Sequence, residues 1–185
     1  SATTGTVTLT ASASLWNANH VGALWRIRHG TDASPTWGYV KITAYTSSTV
    51  VTATVKTTLG GATASTAQRE GCFSTYRGFP KTITLFESRL FLGGTKSSPQ
   101  SIWGSVTGAH EDMTPGVADD DALFFTLSSG ELNTIQWLLS TRVLLVGTSG
   151  GEAVIKGGSG NPLTPTMVDA KFESYWGTSL VRPIL

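Results

Sequence analysis

The chain has 185 residues, of which 14% are charged, and its formal net charge is +1. The length suits one domain with a sizeable core or two small domains, and the sequence holds no basic stripe or run of charge that would indicate a nucleic-acid or membrane-surface partner. Because Cys72 is the only cysteine, an intrachain disulfide and a CxxC metal site are excluded.

Residues 1–57 predict a small β-barrel or β-sandwich domain. "TVTLTAS" and "ALWRIRH" (23–29) alternate as half-buried strands do, with Leu24, Arg26 and Arg28 on one face of the second. "WGYVKITAYT" and "TVVTATVK" follow as a hairpin rich in β-branched and aromatic residues. Residues 58–67, "TLGGATASTA", are small and polar, which is typical of a linker.

An internal repeat dominates residues 68–185. "TITLFESRLFLGGT" (82–95) resembles "TIQWLLSTRVLLVGT" (134–148), which has one extra residue at its turn. We predict strands 82–86 and 89–93 around a tight turn at Glu87-Ser88, and strands 134–139 and 142–147 in the second copy. With their third strands the copies cover about 82–105 and 134–156.

A repeat of about 50 residues with three or four antiparallel strands favours β-propeller blades, and the alternative is a β-meander whose two hairpins happen to be alike. A propeller closes with at least about four blades, and two leave open sheet edges. We therefore expect an all-β chain that contains part of a propeller and is a fragment of a longer protein. Otherwise the two copies pair with another chain or form a different arrangement of sheets.

The one motif with a catalytic precedent is "GTSGG" (147–151), which matches the G-x-S-x-G nucleophile elbow. That elbow needs a helix after the serine, whereas "EAVIK" predicts a strand after Ser149. The three histidines (His20, His29 and His110) also precede Ser149, against the usual Ser–acid–His order. We predict a hairpin turn here, no catalytic residue and no cofactor.

The loop 110–121, "HEDMTPGVADDD", gathers His110, Glu111, Asp112, Asp119, Asp120 and Asp121. Its carboxylates are numerous enough for a Ca²⁺ ion, but the alternating spacing of a dedicated calcium loop is missing. A solvated acidic loop is favoured, and we predict no metal site. An alternative for Asp120 or Asp121 is to anchor a turn between the two copies by accepting hydrogen bonds from backbone N–H groups.

Six tryptophans raise the question of sugar stacking: Trp16, Trp25, Trp37, Trp103, Trp137 and Trp176. Four lie within strand patterns, where core packing is expected. Trp37, beside Pro35 and Gly38, is the best candidate for an exposed ring that contacts glycan. Arg26, Arg28 and Lys41 form at most a small basic face, which is ordinary for a solvated surface.

Together these segments resemble a family of tail proteins from short-tailed bacteriophages and prophages, related to the tail nozzle of the tubular protein B type. The resemblance is carried by "GFPKTITLFESRLFLGGT", "PQSIWGS", "DDDA" and "LLVGTSGGE", in that order. The upstream "HVGALWRI" and "WGYVKITAYTSSTVVTATV" are similar to a small β module found before the propeller in such proteins. An aromatic residue expected near Gln68-Arg69 is missing.

The resemblance implies a non-enzymatic structural component of the virion tail, assembled in the bacterial cytoplasm. Its expected partners are copies of itself and other tail proteins, with no specific nucleic-acid sequence and no membrane span. The alternative is a carbohydrate-binding module that recognises host-surface glycan through exposed aromatic rings, Trp37 first among them.

Overall fold

The computed structural model describes residues 2–128 and 130–184. The chain divides into two compact units, one ending at Gly78 and the other beginning at Phe79. Strands dominate both units, as the sequence predicts. Among the described residues, no helix has the length and apolar character needed to cross a membrane.

The first unit is a single five-stranded antiparallel sheet in the order β1-β4-β3-β2-β5. Alternation of side chains along its strands separates a buried face from an outward one. The strands are β1 (Thr6–Thr10), β2 (Leu24–Thr31), β3 (Ser34–Ser47), β4 (Val50–Thr57) and β5 (Gln68–Glu70).

The core of this unit lies on one face of the sheet. Trp16, from the segment between β1 and β2, covers that face and meets Trp25 edge to face at 4.5 Å between ring centroids. The buried cluster is Val7, Trp16, Ala23, Trp25, Val40, Ile42, Val51, Ala53 and Leu59. Leu24, Arg26 and Arg28 lie on the opposite face, as the alternation in "ALWRIRH" predicts.

The segment 58–67 differs from a free linker because it packs on the first unit. Leu59 is buried in the core, and its backbone N–H donates to the Thr3 carbonyl at 3.0 Å. A Cβ on Gly38 would lie 2.8 Å from the Leu59 Cα, so β3 and this segment touch at backbone distance. The first unit consequently continues past the predicted boundary at residue 57 and includes residues 58–78. The mostly polar composition of the segment concealed its one large apolar residue.

We expect Leu59→Ala to lower the free energy of unfolding of the first unit by about 2–4 kcal/mol, because it leaves a cavity in the core. The matched control is Leu24→Ala, whose leucine is 45% exposed on the opposite face. Urea denaturation followed by tryptophan fluorescence measures both. Equal losses for the two variants would mean that 58–67 does not pack as described.

The second unit contains two four-stranded antiparallel sheets, ordered β6-β7-β8-β9 and β10-β11-β12-β13. The strands of the first are β6 (Thr82–Phe86), β7 (Arg89–Gly93), β8 (Ser101–Gly104) and β9 (Leu123–Thr126). Those of the second are β10 (Ile135–Ser140), β11 (Leu144–Thr148), β12 (Gly151–Lys156) and β13 (Asp169–Ser174). Each sheet corresponds to one copy of the sequence repeat and its flanking strands.

The turns of the two copies differ as the extra residue predicts. In the first copy Phe86 pairs with Arg89, and Glu87 and Ser88 have φ values of 47° and 58°, as in the two-residue hairpins that suit the twist of the strands. In the second copy Ser140 pairs with Leu144, so three residues form the turn. The strand after this turn begins at Leu144 and not at Arg142.

The two sheets share one core. Thr82 Oγ1 accepts a hydrogen bond from the Leu138 backbone N–H at 3.0 Å, which ties β6 to β10. The buried cluster is Phe86, Phe91, Ile102, Leu123, Leu127, Ile135, Leu138, Leu144, Val146, Ala153, Ile155 and Leu163. The chain is therefore all-β, with a small β domain followed by two blade-like sheets, none of which closes on itself. Two stacked sheets of this kind occur both in part of a propeller and in a sandwich.

Candidate functional site

The most buried charged side chain of the second unit is Arg89, at the start of β7. It is 2% exposed. Its Nη1 donates to the carbonyls of Ser105 at 2.7 Å and Asp121 at 2.5 Å, and more weakly to that of Asp120 at 3.3 Å. Its Nη2 donates to the Asp119 carbonyl. The guanidinium thus fastens the acidic loop to the strand by its backbone.

Burial lowers the pKa of Arg89, and the nearby carboxylates of Asp120, Glu87 and Asp121 oppose that shift. An arginine remains charged at any pH at which the protein is folded. The negative charge of these three carboxylates therefore compensates a buried cation, while the four carbonyls use its hydrogen-bonding capacity. The arrangement orders a loop by hydrogen bonds to its backbone.

Carboxylates in the acidic loop cap backbone N–H groups. Asp121 Oδ2 accepts from the Ala118 N–H at 2.9 Å, the turn-anchoring role considered for Asp120 or Asp121. Asp112 Oδ1 accepts from the Thr114 N–H at 2.8 Å, and this bond lowers the pKa of the Asp112 carboxyl. Its small stabilisation is present above the ordinary aspartate pKa and is lost as the pH falls through the lowered value. Within residues 2–128 and 130–184, no three His, Cys, Asp or Glu side chains are placed to hold a metal ion.

Ser149 lies in the hairpin turn between β11 and β12, where the sequence predicts a turn. Its backbone N–H donates to the Thr134 carbonyl at 2.9 Å, and its Oγ accepts from the Thr134 N–H at 3.0 Å. The chain continues as β12 and not as a helix. The hydroxyl therefore ties this turn to the residue before β10, without the helix N-terminus that a nucleophile elbow requires.

A cavity of about 740 Å³ lies within the first unit beside β1. Apolar side chains, including Leu9, Trp16 and Ile27, share its lining with threonines and serines. His29 is the one titratable residue among the described residues that line it, and its Nε2 lies 3.1 Å from the Thr63 carbonyl oxygen. This lining offers no carboxylate to pair with the imidazole, so the cavity lacks an acid–base pair.

Trp37 is less accessible than the sequence suggests. It lies on the outward face of β3, half-buried, with the Arg26 guanidinium 4.1 Å from its ring centroid. The same guanidinium is 5.6 Å from the centroid of Tyr39, two residues along the strand. The register between β2 and β3 places Arg26 opposite Tyr39 and Arg28 opposite Trp37. Trp176 is the most exposed tryptophan of the described residues, at 93%.

The outward face of the first sheet collects more positive charge than the sequence suggests. Arg69 on β5 pairs directly with Arg26, and Lys41 on β3 and Lys56 on β4 are exposed on the same face. We call this surface the basic face and define it by Arg26, Arg28, Lys41, Lys56 and Arg69. Sequence reasoning found three of its members and missed the others, because only the strand pairing brings β4 and β5 beside them.

The first sheet of the second unit has an apolar outward face. Ile83, Leu92, Trp103 and Phe124 form one row of paired positions across all four strands. Ile83, Leu85 and Phe124 are 56%, 57% and 58% exposed. We call Ile83, Leu85, Leu92 and Phe124 the apolar face. Separately from this face, the segment after β13 has exposed large side chains, namely Tyr175, Trp176, Leu180, Val181 and Ile184.

Comparison of the sequence with protein-family models and with curated proteins finds no match.

Proposed function

We propose that the protein is a non-enzymatic structural component of a bacteriophage or prophage tail, which assembles with copies of itself and with other tail proteins. The observation that supports this most is the apolar face, a group of large side chains on one sheet, three of which are more than half exposed. Contiguous apolar surface of this kind marks protein–protein contacts. The blade-like repeat and its resemblance to tail nozzle proteins indicate the class of assembly.

The edges of the blade-like sheets support the same proposal. β6 and β9 end the first sheet, and β10 and β13 end the second. β6 and β10 are tied to each other, whereas β9 and β13 have no further strand beside them within the described residues. Such edges and an uncovered face favour packing against further sheets, which an assembly supplies.

We expect the chain to associate in a concentration-dependent way and Leu85→Asp to shift it towards the monomer, because a carboxylate in a buried contact loses its hydration. The matched control is Val117→Asp, which places the same charge at a loop residue that is 82% exposed. Size-exclusion chromatography with light scattering, over a series of concentrations, gives the mass of each.

A wild-type chain that stays monomeric at every concentration would contradict self-assembly through this unit. Equal dissociation by both variants would contradict the assignment of the contact to the apolar face. The alternative, glycan recognition through Trp37, predicts that Trp37→Ala abolishes binding to host-surface polysaccharide, and binding that survives the substitution would contradict it.

A further inference from the structure

Charge is divided unevenly between the two units although the whole chain is nearly neutral. Up to Gly78 the sequence has six Lys and Arg against two Asp and Glu, a formal charge of +4, and from Phe79 it has seven against ten, or −3. Asymmetry of this kind between parts of a chain indicates an electrostatic role for the basic part.

Neither acidic residue of the first unit neutralises the centre of the basic face. Asp32 pairs with Arg28 at 2.6 Å in the turn between β2 and β3. Glu70 pairs with Arg77 at 2.7 Å and lies 3.6 Å from His20. Among the described residues, Arg26, Lys41, Lys56 and Arg69 therefore have no ion-pair partner.

Two of these cations lie directly opposite each other. Arg26 and Arg69 are register partners on neighbouring strands, which places their backbones about 4.8 Å apart. Like charges in that position destabilise a sheet. A bound anion removes the repulsion, so the pair is better suited to a ligand site than to stability alone.

Aromatic rings lie among the cations. Trp37 and Tyr39 are on β3, the central strand of the five, and Arg26 is held against both rings. Planar bases stack on aromatic rings and on the guanidinium of arginine. An open sheet face that combines several unpaired cations with such a stack fits a chain of phosphates with bases attached.

We propose that the basic face binds single-stranded nucleic acid without sequence preference, with Arg26, Lys41, Lys56 and Arg69 contacting phosphates and the Arg26–Trp37–Tyr39 stack contacting bases. This goes beyond the proposed tail function and does not depend on assembly. An open sheet face suits single strands because their bases are free to stack, whereas those of a duplex are enclosed.

The test uses a fluorescein-labelled, mixed-sequence 20-nucleotide DNA and measures fluorescence anisotropy between 50 and 200 mM NaCl. Four phosphate contacts on a single strand give a slope of log K against log salt of about −2.8, so affinity falls about 50-fold over this range. We expect the double variant Arg69→Gln/Lys41→Gln to bind more weakly at 50 mM, with a slope of about −1.4. Tyr39→Leu is expected to weaken binding about fivefold or more with the slope unchanged, since it removes stacking and not charge.

The matched control is Lys156→Gln/Lys171→Gln, which removes the same charge from exposed lysines of the second unit and leaves affinity and slope unchanged. Three outcomes would overturn the proposal: no binding at 50 mM, equal loss in the two double variants, or equal or tighter binding of duplex DNA. Tighter binding of polygalacturonate, an acidic polysaccharide, would overturn it in favour of a glycan site. Circular dichroism and the urea midpoint show whether each variant is folded.

Discussion

Arg89→Ala is expected to lower the free energy of unfolding of the second unit by about 3–5 kcal/mol, because it removes the hydrogen bonds that a buried, charged donor makes to four backbone carbonyls, and bonds to a charged group contribute about 1.5–3 kcal/mol each. The carbonyl of Ser105, a fully buried residue, loses its donor, and the carboxylates of Asp120 and Asp121 lose the cation that they face. Urea denaturation of the whole chain measures the loss. Faster amide hydrogen exchange in residues 109–121 would accompany it as the loop comes free.

The repeat supplies the control. Arg142 aligns with Arg89 in the repeat, but it is exposed and lies within the three-residue turn of the second copy. We expect Arg142→Ala to change the unfolding free energy by no more than about 0.5 kcal/mol, as for most surface substitutions. Similar effects of the two variants would mean that the Arg89 network does not stabilise the fold.

This pair also shows what the sequence could predict. Strands 82–86 and 89–93 and the turn between them were predicted and are confirmed, because a two-residue turn and alternating side chains are local properties. Arg89 is buried and Arg142 is exposed because of a loop that begins about twenty residues after Arg89 along the chain. Nothing within either copy of the repeat indicates which arginine that loop covers.

For the basic face and for Leu59, too, the local pattern could be predicted but the contacts between distant segments could not. Alternation placed Arg26 and Arg28 on one face, and the structure confirms it. Arg26 lies opposite Arg69 because β2 pairs with β5. These two strands are separated in sequence by the β3–β4 hairpin and the segment 58–67. Leu59 is a similar case, since its burial depends on contact with β3 and not on the polar residues around it.

Phe91→Ala is expected to cost about 3–5 kcal/mol of unfolding free energy, as truncation of a fully buried aromatic side chain does. Phe91 is 0% exposed in the core that the two sheets share, with its ring 6.1 Å from that of Phe86. Because the same core includes Leu138 and Val146 of the second sheet, both sheets should unfold in one transition at a lower urea concentration. Amide hydrogen exchange in β7 and β11, one strand of each sheet, follows the two sheets separately.

Phe124→Ala provides the contrast that separates stability from assembly. Phe124 lies on the same sheet but on the apolar face, 58% exposed, with its ring 5.6 Å from that of Trp103. Its truncation removes little buried area from the isolated chain, so we expect the free energy of unfolding to fall by less than in Phe91→Ala, by about 1 kcal/mol or below. If the apolar face packs on another copy, the same variant weakens association under conditions in which Phe91→Ala remains folded and associates normally. A large loss of stability in Phe124→Ala with unchanged association would show that this face is part of the fold and not a contact surface.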